Sequence, residues 1–153
     1  MMLSENLSFK EATYSATAIK KDIPNNPTIE HLKNLKATAE HIFQPIRDFF
    51  GVPIKVTSGY RSQELNDLIG GSSTSQHSIG QALDLDADVY GKITNAQIFS
   101  FIETKIEFDQ MIWEFGDDKN PNWVHVSYRT DGKNRGEKLI AYKKNGRTKY
   151  KHK

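Results

Sequence analysis

The sequence contains no cysteine among its 153 residues. Disulfide bonds and thiolate-ligated metal sites are therefore excluded, and any bound metal must take nitrogen or oxygen ligands. No apolar run approaches the roughly 18 residues that a membrane helix requires, so we expect no membrane insertion. The first residues, MMLSENLSFKEATYSATA, lack the basic-then-apolar pattern of a secretory signal. We therefore expect synthesis in the cytoplasm and export by another agent.

Charge of one sign is also not in large excess, because the net charge is only +2. This value is too small to indicate a specific nucleic-acid partner by itself. The length and the 37% hydrophobic content fit one globular domain over residues 1–153, which we expect to be monomeric. The end of the chain, YKKNGRTKYKHK, is strongly basic. We expect a core at about residues 7–128 and a basic C-terminal tail at 129–153.

The hydrophobic periodicity predicts an α+β domain with helices packed on a small, mainly antiparallel sheet. Predicted helices cover residues 29–50, 62–71 and 94–106, with N-caps at Thr28, Ser62 and Thr94. Pro45 is expected to kink or restart the first of these helices, and Gly51 to end it. The predicted strands are IKVTSGY, ALDLDAD, FDQMIWEF, WVHVSYR and KLIAYKKNGRTKY, the last forming a strand or a hairpin around Asn145-Gly146.

Of the five histidines, three have positions that suggest no chemistry. His31 and His41 fall on the first long helix among lysines and glutamates, where we expect surface or half-buried side chains. His152 lies in the basic tail, which we expect to be frayed. The candidates for chemistry are therefore His77 and His125.

His77, Asp84 and His125 together offer two imidazoles and one carboxylate. Asp84 lies in the alternating run ALDLDAD, which places Ala82, Asp84, Asp86 and Asp88 on one strand face. Three such ligands leave a fourth position for water, as a catalytic zinc site requires. The alternative is that His125 is a satisfied core histidine, Asp84 pairs with a lysine and His77 decorates a loop.

Glu114 lies in the strand before His125, on the face shared by Gln110 and Ile112. If the hairpin pairs Glu114 directly with His125, a carboxylate stands beside the metal and can accept a proton from water. The alternative is a cross-strand salt bridge. Arg61 ends the strand SGYRS, where it can hold a substrate carboxylate or an oxyanion, or be an ordinary surface residue.

The motifs SGYRS, SQHSIGQALDLD and WVHVSY, in this order, resemble the zinc peptidases typified by D-Ala-D-Ala carboxypeptidases, whose fold the hedgehog signalling domain shares. The resemblance runs from roughly Leu7 to Tyr128 and is closest to a short branch from bacteria and phages. It implies a zinc site formed by His77, Asp84 and His125.

The resemblance has one departure, at the catalytic glutamate. In the carboxypeptidase branch this glutamate lies three residues before the last histidine, a position that Asn122 occupies here. The short branch instead implies Glu114 at the end of the preceding strand, with Asp109 as second choice. Arg61 is expected to stabilise the oxyanion or grip a carboxylate. Tyr60, Ser75 and Gln76 are expected to line the substrate cleft.

The implied function is zinc-dependent hydrolysis of peptide bonds in bacterial peptidoglycan stem peptides, by a carboxypeptidase, a murein endopeptidase or a phage endolysin. The site of action would be the cell wall, including after phage-mediated release, and the basic tail would hold the protein on an anionic surface. Two other classes stay open. One is a catalytically silent zinc module used for wall binding or phage assembly. The other is a nucleic-acid-binding domain that works through the basic tail.

Overall fold

The structure is a computed structural model that describes residues 1–153, and it confirms the α+β class. The helices are α1 (Phe9–Thr13), α2 (Ala16–Lys20), α3 (Ile29–Thr38), α4 (Gln44–Phe50), α5 (Gln63–Leu68) and α6 (Asn95–Lys105). The strands are β1 (Met2–Ser4), β2 (Leu7–Ser8), β3 (Lys55–Ser58), β4 (Ala82–Asp86), β5 (Gln110–Glu114), β6 (Trp123–Ser127), β7 (Glu137–Lys144) and β8 (Arg147–His152). None of the helices has the length and apolar character needed to cross a membrane.

The three predicted N-caps are confirmed. The side chains of Thr28, Ser62 and Thr94 each accept a hydrogen bond from the backbone N–H three residues later. Such a bond satisfies one of the free N–H groups in the first helical turn, and this is why the helices begin where they do.

Pro45 restarts the first long helix, as predicted. A π-helical turn, Ala39–Phe43, separates α3 from α4, and Pro45 lies in the first turn of α4. Proline has no backbone N–H, so the hydrogen-bond ladder must change ahead of it. Helix α4 ends at Gly51, whose φ of 65° is left-handed and suits glycine.

Six strands form one sheet in the order β3-β4-β6-β5-β7-β8. All neighbouring pairs are antiparallel except β5 and β7, which run parallel, so the prediction of a mainly antiparallel sheet is confirmed. One face of the sheet packs on the helices. Its buried side chains meet those of the helices in one hydrophobic core, which includes Leu83, Leu85, Val124, Val126, Met111, Trp113, Leu35, Ile98, Phe99 and Ile102. The opposite face is polar and carries the candidate site.

The predicted register between β5 and β6 is wrong by two residues. His125 pairs with Ile112, and Glu114 pairs with Trp123. The loop between the two strands therefore contains eight residues, 115–122, instead of the six predicted. Its ends are joined by a hydrogen bond from the N–H of Asn122 to the carbonyl of Glu114 at 2.9 Å. Since side chains alternate with a period of two, Glu114 still lies on the same face as His125.

The predictions for the alternating run of β4 and for the C-terminal tail also need correction. Strand β4 ends at Asp86, and Asp88 lies in a 3-10 turn, Asp88–Tyr90. The tail is not frayed, and the predicted hairpin around Asn145-Gly146 is confirmed. Strands β7 and β8 form a hairpin whose turn residues Asn145 and Gly146 have φ of 53° and 73°, as two-residue hairpins require. His152 pairs with Leu139 of β7, and β7 in turn pairs with β5. The C-terminal residues are therefore part of the sheet.

Candidate metal centre

Three side-chain atoms converge on one point above the polar face of the sheet. The Nε2 atom of His77 lies 3.2 Å from Oδ1 of Asp84 and 3.2 Å from Nδ1 of His125. The third side of the triangle, from His125 Nδ1 to Asp84 Oδ1, is 3.0 Å. The structure therefore brings together the three residues that the sequence suggested as metal ligands.

The fold fixes these three residues by different means. Asp84 and His125 are direct cross-strand partners in β4 and β6, so their side chains share a face. His77 lies in a 3-10 turn, Gln76–Ile79, whose N-cap Ser75 accepts a hydrogen bond from the His77 N–H at 3.2 Å. The turn is held against the segment that follows β3 by a bond from the Arg61 N–H to the His77 carbonyl at 3.1 Å.

The ring of His77 is oriented by the backbone of Gly59. Its Nδ1 lies 2.7 Å from the Gly59 carbonyl oxygen. A carbonyl can only accept, so Nδ1 carries the proton and Nε2 presents its lone pair to the centre. Residue 59 has to be glycine, because a Cβ there would lie 2.1 Å from the carbonyl oxygen of Ala12.

The donor set fits a tetrahedral metal ion. Zinc binds histidine nitrogen and carboxylate oxygen at about 2.0–2.1 Å, which places tetrahedral ligands about 3.3 Å apart. The observed separations of 3.0–3.2 Å come close to this value. Two imidazole nitrogens that face each other at 3.2 Å would repel if both were unprotonated, so either a shared proton or a metal cation lies between their lone pairs.

Asp84 is ionised in this setting. Burial alone would raise the pKa of its carboxyl group, but the adjoining rings of His77 and His125 outweigh burial and hold the pKa well below its usual range. The side chain is only 15% exposed. A buried carboxylate of this kind requires a positive partner, whether a protonated histidine or a metal ion.

Glu114 stands beside this centre with a free carboxylate. It lies two residues along β5 from Ile112, the partner of His125, and is 8% exposed. No hydrogen bond or salt bridge engages its side chain. Burial raises the pKa of Glu114 to about 7; the negative charge of Asp84 acts in the same direction and His125 opposes it. A carboxyl group with a pKa near neutrality can both accept and return a proton.

Arg61 faces the same cleft from the segment between β3 and α5. Its buried Nε has no hydrogen-bond partner, and no side-chain contact neutralises the guanidinium group. Burial lowers the pKa of Arg61, while the charge of Asp84 raises it. An unpaired, partly buried guanidinium is an anchor for a carboxylate or an oxyanion.

The residues open onto a cleft of about 930 Å³. Ser75 and Gln76 line this cleft, as the sequence suggested. Tyr60 does not line it: its ring is 5% exposed and packs in the hydrophobic core, 5.8 Å from the ring of His31. Tyr60 and Arg61 follow β3 in the chain, and their side chains point to the core and to the cleft respectively.

Asp109, the second choice for a base, has no free acceptor. Its Oδ1 accepts hydrogen bonds from the backbone N–H and the Nε of Arg135 at 3.0 Å. Its Oδ2 accepts from the Nη2 of Arg135 at 2.9 Å and from Gln76 at 3.0 Å. This buried carboxylate therefore holds the cleft wall together instead of facing the metal centre.

The sequence reasoning missed the contribution of the C-terminal residues to the cleft. The lining residues beyond β6 are Arg129, Asp131, Arg135, Leu139, Thr148 and Tyr150. Tyr150 lines the same cleft as Glu114 and Asp84, and burial together with their charges raises its pKa. The one available signal was the alternation in RTKYKH, which places Thr148 and Tyr150 on one strand face.

The site combines two imidazoles and a carboxylate as metal donors with an unpaired glutamate in the same cleft. This combination is typical of metal-dependent hydrolases. The family model for Peptidase M15, the zinc D-Ala-D-Ala carboxypeptidase-type family, matches residues 5–127, and the chain belongs to this family. This membership suggests a zinc metallopeptidase. No match was found among the curated proteins.

Proposed function

We propose that the protein is a zinc-dependent peptidase that hydrolyses peptide bonds in the stem peptides of bacterial peptidoglycan. The observation that supports this most directly is the convergence of three ligand atoms within 3.2 Å of one another, beside an unpaired glutamate in the same cleft. The proposal covers enzymes of the D-Ala-D-Ala carboxypeptidase type and of the murein endopeptidase or endolysin type, since all of them cleave amide bonds of the stem peptide.

His77 Nε2, Asp84 Oδ1 and His125 Nδ1 would hold the metal. A bound zinc ion supplies a Lewis acid and a water molecule of lowered pKa. The Gly59 carbonyl keeps the lone pair of His77 directed at the site, because it holds the ring proton on the opposite nitrogen.

Glu114 is the proposed general base. Its carboxylate takes a proton from the attacking water as the water adds to the scissile carbonyl carbon. The same oxygen then donates this proton to the nitrogen of the leaving amine as the C–N bond breaks. In the metal-free site burial raises the pKa of Glu114 to about 7, so its carboxylate is more basic than that of an exposed glutamate and can both take and return a proton.

Arg61 is the proposed anchor for negative charge. Its guanidinium group can stabilise the negative oxygen that develops on the scissile carbonyl, or pair with a carboxylate of the stem peptide. Ser75 and Gln76 form part of the wall along which the peptide would lie. The Gln76 side chain is held by Asp109 at 3.0 Å and by Gln81 at 3.1 Å, so this wall is fixed before substrate arrives.

The direct test is incubation of the purified protein with peptidoglycan, with and without a chelator, followed by mass spectrometry of the new termini. We expect one class of peptide bond to be cleaved, with loss of activity in chelator and recovery on addition of zinc. Activity that is indifferent to the chelator, in a protein that contains no zinc as isolated, would refute the proposal.

Glu114→Gln tests the base separately from the metal. We expect zinc content to be retained and turnover to fall by about 10²–10⁴-fold, the usual contribution of a general base. His125→Ala is the matched comparison, because it should lose the metal as well as the activity. Near-native turnover in a zinc-loaded Glu114→Gln protein would remove Glu114 from the mechanism.

The alternative function is a catalytically silent zinc module that binds the wall or helps to assemble a phage particle. Asn122 favours this alternative, because it occupies the position of the carboxypeptidase glutamate and is exposed outside the cleft lining. Stoichiometric zinc without turnover on any peptidoglycan would support it.

A further inference from the structure

The C-terminal hairpin presents different chemistry on its two faces. Thr148 and Tyr150 of β8 line the cleft. The residues between and around them alternate to the opposite face, and they are all cationic: Arg147, Lys149 and Lys151. Lys144 joins them from β7, since it pairs directly with Arg147. We refer to Lys144, Arg147, Lys149 and Lys151 as the cationic hairpin face.

These four side chains are exposed and have no acidic partner. The ion pairs of the structure do not include any of them, whereas Lys138 at the start of the same hairpin pairs with Glu103 at 2.9 Å. Lys144 and Arg147 carry like charges at directly opposed positions, an arrangement that destabilises a strand pair. A surface that keeps such repulsion gains most from an anionic partner.

The C-terminal hairpin also differs in net charge from the rest of the chain. Residues 137–153 contain seven of the 21 Lys and Arg residues but only one of the 19 acidic residues, a net charge of +6. The remainder of the chain therefore carries a net charge of −4. This difference in net charge favours the hairpin as the surface that meets an anionic polymer.

We propose that the cationic hairpin face binds a linear phosphate polymer of the bacterial cell wall. Same-face residues of a strand lie about 6.6 Å apart, so β8 offers a row of cations along which an extended polyanion can lie. β8 is the edge strand of the sheet, which leaves one side of this row open. Because Thr148 and Tyr150 face the other way, a polymer on this surface leaves the cleft free. The choice of a wall polymer rests on the proposed function.

The test is co-sedimentation of the full-length protein with bacterial walls whose phosphate polymers are intact, compared with walls from which acid treatment has removed them. The variant Lys144→Gln/Arg147→Gln/Lys149→Gln/Lys151→Gln removes the cationic hairpin face. Lys20→Gln/Lys21→Gln/Lys33→Gln/Lys36→Gln is the matched control, because it removes the same charge from exposed positions on α2 and α3 and at the end of α2. Lys144→Arg/Lys149→Arg/Lys151→Arg retains the charge.

We expect wild type, the control and the arginine variant to bind intact walls alike, and the hairpin glutamine variant to bind at least about 10-fold more weakly, with a smaller dependence on salt. Circular dichroism spectra and urea unfolding midpoints should be similar in all four proteins, which shows that they are folded, and hydrolysis of a small soluble stem peptide should be equal. Equal loss of binding in the control would overturn the proposal, as would unchanged binding to stripped walls.

A single-stranded DNA of matched charge provides the remaining comparison. Tighter binding to DNA than to intact walls would replace the proposed partner with nucleic acid. The proposed peptidase activity can fail without affecting this result, because binding is measured with Glu114→Gln as well as with wild type. Binding by both proteins supports the surface even if neither cleaves peptidoglycan.

Discussion

The replacement Asp109→Asn removes one charge from the wall of the cleft with almost no change in shape. In the wild type, Oδ2 of Asp109 accepts from two donors, Arg135 Nη2 and Gln76 Nε2. An amide nitrogen in that place is itself a hydrogen-bond donor, so it could not accept from Arg135 Nη2 or from Gln76 Nε2. If the amide flips, the conflict moves to the bonds from the Arg135 backbone and Nε.

The expected loss of stability at pH 7 is about 2–4 kcal/mol. A hydrogen bond to a charged group contributes about 1.5–3 kcal/mol, and two are lost. The side chain of Asp109 is 1% exposed but that of Arg135 is 49% exposed, so solvation of the arginine recovers part of the loss. Glu103→Gln is the control: its 2.9 Å ion pair with Lys138 is about one-third exposed on both side chains, and we expect a loss under about 1 kcal/mol.

The same replacement predicts a pH dependence. Burial alone would raise the pKa of Asp109, but the hydrogen bonds from Arg135 and Gln76 lower it below its usual range. The stabilisation is therefore complete above the unfolded-state pKa of about 3.9 and is lost as the pH falls through the lower native pKa. Urea unfolding of wild type and Asp109→Asn should differ by a constant amount from pH 7 to about 5, and the difference should shrink below pH 4. A difference under about 1 kcal/mol at pH 7, or one that persists at pH 2, would refute this reasoning.

Two further predictions concern the metal centre. In chelator-treated protein, Glu114→Gln should be more stable than wild type at pH 8, by on the order of 2 kcal/mol, because burial raises the native pKa of Glu114 to about 7 and ionisation then opposes folding. Urea unfolding should show this gap closing as the pH falls towards 4, and a gap that is absent at pH 8 would contradict it. Gly59→Ala should lower zinc affinity by about 10–100-fold, since the new Cβ displaces the carbonyl that orients His77. Competition with a chromogenic chelator measures this affinity, and an unchanged value in a folded variant would show that the Gly59 contact is dispensable.

Local sequence rules predicted the elements well because their signals are short-range. The caps Thr28, Ser62 and Thr94 bond to groups three residues away, so each can be identified from its own segment. The alternation in WVHVSY placed His125 and the core valines on opposite faces, and the structure confirms this. At the basic end of the chain, the hairpin around Asn145-Gly146 was predicted correctly from its turn residues, but the frayed tail at His152 was wrong. The order of this end depends on the pairing of β7 with β5, two strands that are distant along the chain.

The sequence by itself determined the donor set of the candidate site. His77, Asp84 and His125 follow from residue type, spacing and the resemblance to zinc peptidases, and the face of Glu114 follows from the period of a strand. Only the tertiary structure decided what surrounds them. The register of Glu114, the burial of Tyr60 and the contact from Gly59 to His77 all depend on which backbone segments meet. These contacts join residues that are distant along the chain. The period of a strand determines which face of the sheet a side chain lies on, but it does not determine which residue of the neighbouring strand it pairs with.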